Sequence, residues 1–179
     1  MPHLTLAERT AAIRELEESR LRLLAALEGL TEEQWRLRPT RDRWSIAECA
    51  EHITAAEVSM PKLVAAATGG ERVEPAAERD EYVRRFTRDR SRREEAPERV
   101  RPKGRWPSLK ETIQAFEERR AANLEFARTT REDLRSRFYP NPFVGVIDLY
   151  QWLLFLAAHT ERHAVQIEEI RAWPASGKT

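Results

Sequence analysis

The four histidines of the 179-residue sequence supply its first hint of chemistry. His159 and His163 lie four residues apart, a step that advances a helix by roughly 6 Å and returns nearly to the same face. Two imidazoles so placed reach one metal ion. Extending the apolar series Leu149, Trp152, Leu156 by three and then four residues lands on His159 and His163, so both point inward. His52 falls three residues after Cys49 and four before Ala56, on the edge of another inward stripe, placed to supply a third nitrogen. His3 sits in the frayed start of the chain. Three neutral imidazoles leave a divalent ion with open positions for water or substrate, the pattern of a catalytic rather than a closed structural site. Zinc, nickel, iron and manganese all accept such ligands. A plainer reading stands beside this one, in which buried imidazoles merely hydrogen-bond to neighbouring helices.

Other metal chemistries fit less well. In His159-Thr-Glu-Arg-His163, Thr160 stands where a zincin protease has its glutamate. A di-iron bundle needs Glu-x-x-His on two helices, but Cys49 precedes His52, Leu156 precedes His159 and Thr160 precedes His163 at that spacing. Cys49 is one turn from His52, yet a small cysteine on an apolar face is ordinarily core filler. Glu48, Asn123 and Gln166 fall near inward stripes as candidates to orient ligands or bound water, with capping or surface exposure as the alternative.

These residues need helices to position them, and the sequence supplies starts for helices. Ser/Thr-x-x-Glu/Gln boxes, in which hydroxyl and acid or amide satisfy each other's free backbone N–H, occur at Thr5/Glu8, Thr31/Gln34, Ser45/Glu48 and Ser108/Glu111. The first opens a helix to about Leu27, ended by Gly29; the second opens a short turn before Pro39. The third opens a helix from Ile46 to about Ala67, kinked or shifted by Pro61 and stopped at Gly69-Gly70. The fourth opens one from Leu109 to about Ala127, and a last, most apolar helix runs from about Val146 to Ala172, stopped by Pro174. Gly is scarce, at 6, while Ala, Leu, Glu and Arg dominate, so the class is all-α: a four-helix bundle in one domain, 1–179.

Between Glu71 and Pro107 the pattern breaks. Pro75, Pro97, Pro102 and Pro107 punctuate a charge-rich crossover between the second and third long helices, with Tyr82 and Phe86 marking one short helix. Long connections of this kind serve as lids or binding loops when they are not solvated linkers. Arg79–Arg105 carries 11 basic and 6 acidic residues. Its alternating signs read as a solvated surface rather than a nucleic-acid face, and the net charge of +1 gives no bulk attraction to nucleic acid or anionic lipid. The longest apolar run, Trp152 to Ala158, is too short for the roughly 18 residues of a membrane span. One cysteine and no signal-peptide profile make the cytoplasm the expected compartment.

Arg38-Pro39, Trp44-Ser-Ile-Ala-Glu48 and His52 resemble the start of the second helix in the DinB/YfiT-like superfamily, and Gly145 through Trp152 to His159-Thr-Glu-Arg-His163-Ala-Val-Gln-Ile167 resembles its last helix. Pro97 to Trp106 and Phe116 to Arg120 resemble the middle of such domains, so the likeness spans nearly the whole chain. The resemblance implies a four-helix bundle with a long crossover, a homodimer, and a divalent metal, zinc or nickel foremost, on His52, His159 and His163. It implies a metal-dependent hydrolase or a transferase using a low-molecular-weight thiol. The Glu71 to Pro107 crossover, read from this sequence, marks the end where a small-molecule substrate is expected to enter, with its arginines available to an anionic group such as a carboxylate. The alternative is a noncatalytic metal- or ligand-binding bundle.

Overall fold

The computed structural model describes residues 4–71 and 76–173; His3, Pro75 and the expected stop at Pro174 lie outside the described residues. The protein is mostly helical. α1 (Leu6–Leu27), α2 (Glu32–Trp35), α3 (Ile46–Ala56) and α6 (Leu109–Thr129) each begin at one of the four expected boxes, with both reciprocal bonds formed. Gly29 follows α1 with φ 67°, a backbone conformation that glycine adopts without strain. α7 (Leu149–Arg171) begins at a fifth such box, Asp148 with Gln151. α1, α6, α3 and α7 pack in a ring in that order, so α1 and α3, separated in the chain only by the single turn of α2, stand diagonally opposite.

The expected helix from Ile46 to about Ala67 is instead two helices, α3 and α4 (Met60–Ala66). In a continuous helix Pro61 would lack an N–H for the Glu57 carbonyl and its ring would clash there. The chain breaks at Glu57–Ser59, which puts Pro61 in the first turn of α4, where no intrahelical donor is needed. Asn123 seals the break: its Oδ1 accepts from the Met60 N–H at 3.0 Å, and its Nδ2 donates to Val58 O at 2.8 Å and Glu57 Oε1 at 3.0 Å.

Among the described residues the crossover carries a helix packed on the bundle. α5 (Ala76–Arg88) packs along α7, burying Ala76, Asp80, Val83 and Thr87 at helical spacing. Its Arg84 donates to Glu15 of α1 at 3.0 Å. This cover explains why α7 is buried on every side from Leu149 to Thr160.

A small antiparallel sheet also replaces expected helix and loop, in the order β1 (Thr68–Gly69), β2 (Arg137–Asn141), β3 (Gly145–Asp148). The start of the last helix expected at Val146 is strand: Asn141 Oδ1 accepts from the N–H groups of Phe143 and Val144, Gly145 takes φ 80°, and Phe138 pairs with Asp148. Beside it Arg135 is held by Asp80 at 2.7 Å, Asp148 at 3.0 Å and Glu8 at 2.9 Å, joining α5, α7 and the start of α1.

A second charged node sits between the four long helices. Arg120 of α6, with 0% exposure, donates to both Glu57 oxygens (2.7 and 2.9 Å), to Leu16 O (2.7 Å) and Ser19 Oγ (2.9 Å) of α1, and to Thr160 Oγ1 (2.8 Å) of α7. Removing one partner of a buried pair strands the other charge. Arg120→Leu is therefore expected to lower stability by about 3–5 kcal/mol in urea unfolding, with much of that loss recovered in Glu57→Leu/Arg120→Leu.

Candidate metal centre

His52 comes from α3, and His159 and His163 come from successive turns of α7, the helix packed against it. The structure brings all three together: one ring nitrogen of each lies within 4.8 Å of the others. The Nε2 atoms of His52 and His159 are 3.3 Å apart, close to the edge of about 3.3 Å that two ligands at zinc–nitrogen bond lengths span in a tetrahedron. All three rings are buried.

Hydrogen bonds at the far ring nitrogens determine what the near ones can do. His52 Nδ1 lies 2.9 Å from Val100 O, and a carbonyl only accepts, so Nδ1 carries the proton and Nε2 presents a lone pair. His163 Nδ1 lies 2.8 Å from Gln166 Oε1, which also accepts from Arg90 Nη1 at 3.3 Å; that donor fixes the amide oxygen on this side. His163 therefore donates from Nδ1 and keeps the Nε2 lone pair. His159 Nε2 either donates to His52 or, with its proton on Nδ1, offers a third lone pair. This donor set fits a divalent transition ion, for which neutral imidazoles oriented by acceptors behind them are ordinary ligands.

Electrostatics keep the rings neutral. Burial lowers the His52 pKa against the Val100 bond, which favours the charged form. His159 and His163 are held well below the usual range, first by burial and then by the neighbouring imidazoles and Arg162. Phe155 stacks on His159 at a ring distance of 5.3 Å, and Trp44 lies 4.9 Å from His52 and 6.4 Å from His163.

The three histidines line a cavity of about 390 Å³ whose other walls include Trp44, Phe155 and Phe143, and residues from Phe86 to Ala96 of the crossover. Arg162 of α7 tethers that crossover, donating to the carbonyls of Asp89 and Arg92.

Of the polar residues expected near ligands, Gln166 reaches a histidine. Glu48 instead caps α3, accepting from Ser45 N, and pairs with Arg38 at 2.6 Å. Asn123 seals the helix break described above, because the freed backbone groups there need a buried partner. Cys49 packs in the apolar cluster with Trp35, Ile46 and Phe116, and burial pushes its thiol up to about 12. The Val100 carbonyl, behind His52, left no mark in the sequence because any residue presents one; Trp44 was legible only as part of the helix-start motif.

Comparison with known proteins gives a consistent picture. The family model of the DinB superfamily matches residues 15–167. The uncharacterized protein YuaE of Bacillus subtilis is 28% identical over 159 residues, covering 86% of this chain and 93% of YuaE. YfiT from Bacillus subtilis, described as a probable metal-dependent hydrolase with an unusual four-helix bundle topology, superimposes with a TM-score of 0.61 at 14% identity, over 95% of this chain and 89% of YfiT. At that identity the likeness shows the fold.

The depressed histidines set an acid limit. Well above about pH 6.5 imidazole is neutral in folded and unfolded chains alike, so nothing is lost. Below it the unfolded chain takes up protons that the folded one refuses, and stability falls by up to roughly 1.4 kcal/mol per pH unit per histidine. Asp148, raised to about 6 by burial against the pull of Arg135, works in the opposite sense. Urea unfolding of metal-free wild type and His159→Gln at about pH 7.5 and 5.5 cancels the Asp148 contribution. The variant is expected to lose less stability on acidification.

Proposed function

Since the chain belongs to the DinB superfamily, we propose that it is a metal-dependent enzyme acting on a small molecule, with His52, His159 and His163 holding one divalent ion, zinc or nickel foremost. The observation that carries this is the convergence of three buried, neutral imidazoles, two of them fixed with Nε2 lone pairs facing inward, on the floor of an open cavity. A divalent ion bound there polarises a substrate oxygen and lowers the pKa of a water or thiol.

The protein's own groups then do the following. His52 and His163 hold their protons on Nδ1, against Val100 O and Gln166 Oε1, and so present unprotonated Nε2 atoms. Trp44 and Phe155 shield the rings and exclude water from that side. Arg43 and Arg93, on the cavity wall, form no ion pair within 4.0 Å among the described residues; Asp42 on the same wall takes up part of their charge, and the remainder is available to an anionic group of the substrate. Hydrolysis and transfer to a low-molecular-weight thiol both use this arrangement. The homodimer implied by the resemblance belongs to the same reading, and Leu6 and Leu21, both exposed on α1, are apolar side chains such a contact would cover.

A second reading, a noncatalytic binding bundle, draws on the 3.3 Å approach of His52 and His159, which two imidazoles can make as a hydrogen bond with no ion present. Elemental analysis and turnover separate the two. Protein expressed without a His tag is expected to carry one ion per chain, absent from His52→Ala and His163→Ala. The loaded wild type is expected to turn over an ester with water or an electrophile with a thiol, and both variants to fall to background. Ion binding without turnover of either kind favours the second reading.

A further inference from the structure

One carboxylate fastens the crossover to α3. Glu51, at 5% exposure, accepts from the backbone N–H groups of Lys103 (2.7 Å), Gly104 (2.8 Å) and Arg105 (3.3 Å) and from the Arg105 guanidinium (2.8 Å). Burial alone would raise its pKa, but these donors outweigh burial and hold the carboxyl below the ordinary range. Gly104 takes φ 75°, which turns the chain so that three successive N–H groups face one anion. The same Arg105 also donates to Arg101 O at 2.7 Å and Arg99 O at 3.0 Å, drawing residues 99–105 into one closed strap.

Val100 lies inside that strap, buried, and its carbonyl is the acceptor for His52 Nδ1. Glu51 and His52 are consecutive on a helix, so their side chains diverge by about 100°. Any influence of Glu51 on the imidazole must therefore pass through the strap. We infer that Glu51 is a positioning residue for His52: by clasping residues 103–105 it presents the Val100 carbonyl, which holds His52 as the Nδ1–H tautomer with its Nε2 lone pair toward His159 and His163. Released from that carbonyl, the ring can carry its proton on Nε2, which removes the lone pair from the cluster. The inference rests on the proposed ion site only for its effect on ion affinity; the tautomer itself does not depend on an ion.

The test uses the full chain, as wild type, Glu51→Gln and Glu51→Ala, with ring-nitrogen NMR of the metal-free histidines and zinc affinity by chelator competition. Wild-type His52 is expected as Nδ1–H. In Glu51→Ala the Nε2–H form should appear, with zinc affinity lower by about 10- to 100-fold, the range for loss of a group that orients a ligand. Glu51→Gln should fall between, since an amide oxygen still accepts from the strap. His163, held by Gln166, should keep its tautomer throughout. Retention of Nδ1–H His52 and wild-type zinc affinity in both variants, even with reduced stability, would overturn the inference and leave Glu51 a structural clasp. If Glu51→Ala does not fold, Glu51→Gln decides by the same readouts. If wild type binds no zinc, the metal reading fails and the His52 tautomer alone decides this one.

Discussion

The five N–H groups of Arg120 make five hydrogen bonds, and together they join every long helix of the ring. α6 supplies the guanidinium, α3 ends at Glu57, α1 gives the Leu16 carbonyl and Ser19, and α7 gives Thr160. A buried ion pair adds little net stability over apolar residues, but it admits few alternative arrangements, since any slip strands a charge. Thr160 follows His159 directly, and Glu57 terminates the helix that carries His52. The register of α7 against α3, on which the meeting of the three imidazoles depends, is thus constrained by one side chain.

Around that node the interior runs opposite to an ordinary bundle core. Three imidazoles, a carboxylate and a guanidinium occupy space that an ordinary bundle fills with apolar side chains. The guanidinium is met by five acceptors, Glu57 by Arg120 and Asn123, and the Nδ1 atoms of His52 and His163 by Val100 and Gln166, which leaves the inward ring nitrogens to one another or to an ion. Polar groups this deep require such partners, because an unpaired one costs more than the pair contributes. The site therefore draws on distant parts of the chain. Its first histidine is oriented by a crossover carbonyl more than forty residues away, and the crossover is held by Glu51 and Arg162.

The parts of this arrangement visible in the sequence are those encoded locally. Hydroxyl and acid three residues apart marked four helix starts, and the three-then-four spacing from Leu149 ran to both α7 histidines. The breaks were visible only as residue types. Pro61 signalled a disturbance, but whether the chain kinked or restarted depended on Asn123, sixty residues later, accepting the orphaned Met60 N–H. Phe138-Tyr139 and Val146-Ile147 around Asn141 and Gly145 carried the composition of a hairpin, hidden by the helical stretches on either side. Glu48 read as a ligand-orienting candidate because its inward edge and its capping role share one position. The backbone acceptors that set tautomers have no residue type to betray them.

Crystallography decides whether His52, His159 and His163 form one ion site. Diffraction data from zinc-soaked crystals, collected above and below the zinc absorption edge, should give one strong anomalous peak within about 2.0–2.1 Å of a nitrogen of each ring. A soaked crystal with no peak among the three rings, or with zinc bound elsewhere while His52 Nε2 and His159 Nε2 remain hydrogen-bonded to each other, would contradict that site.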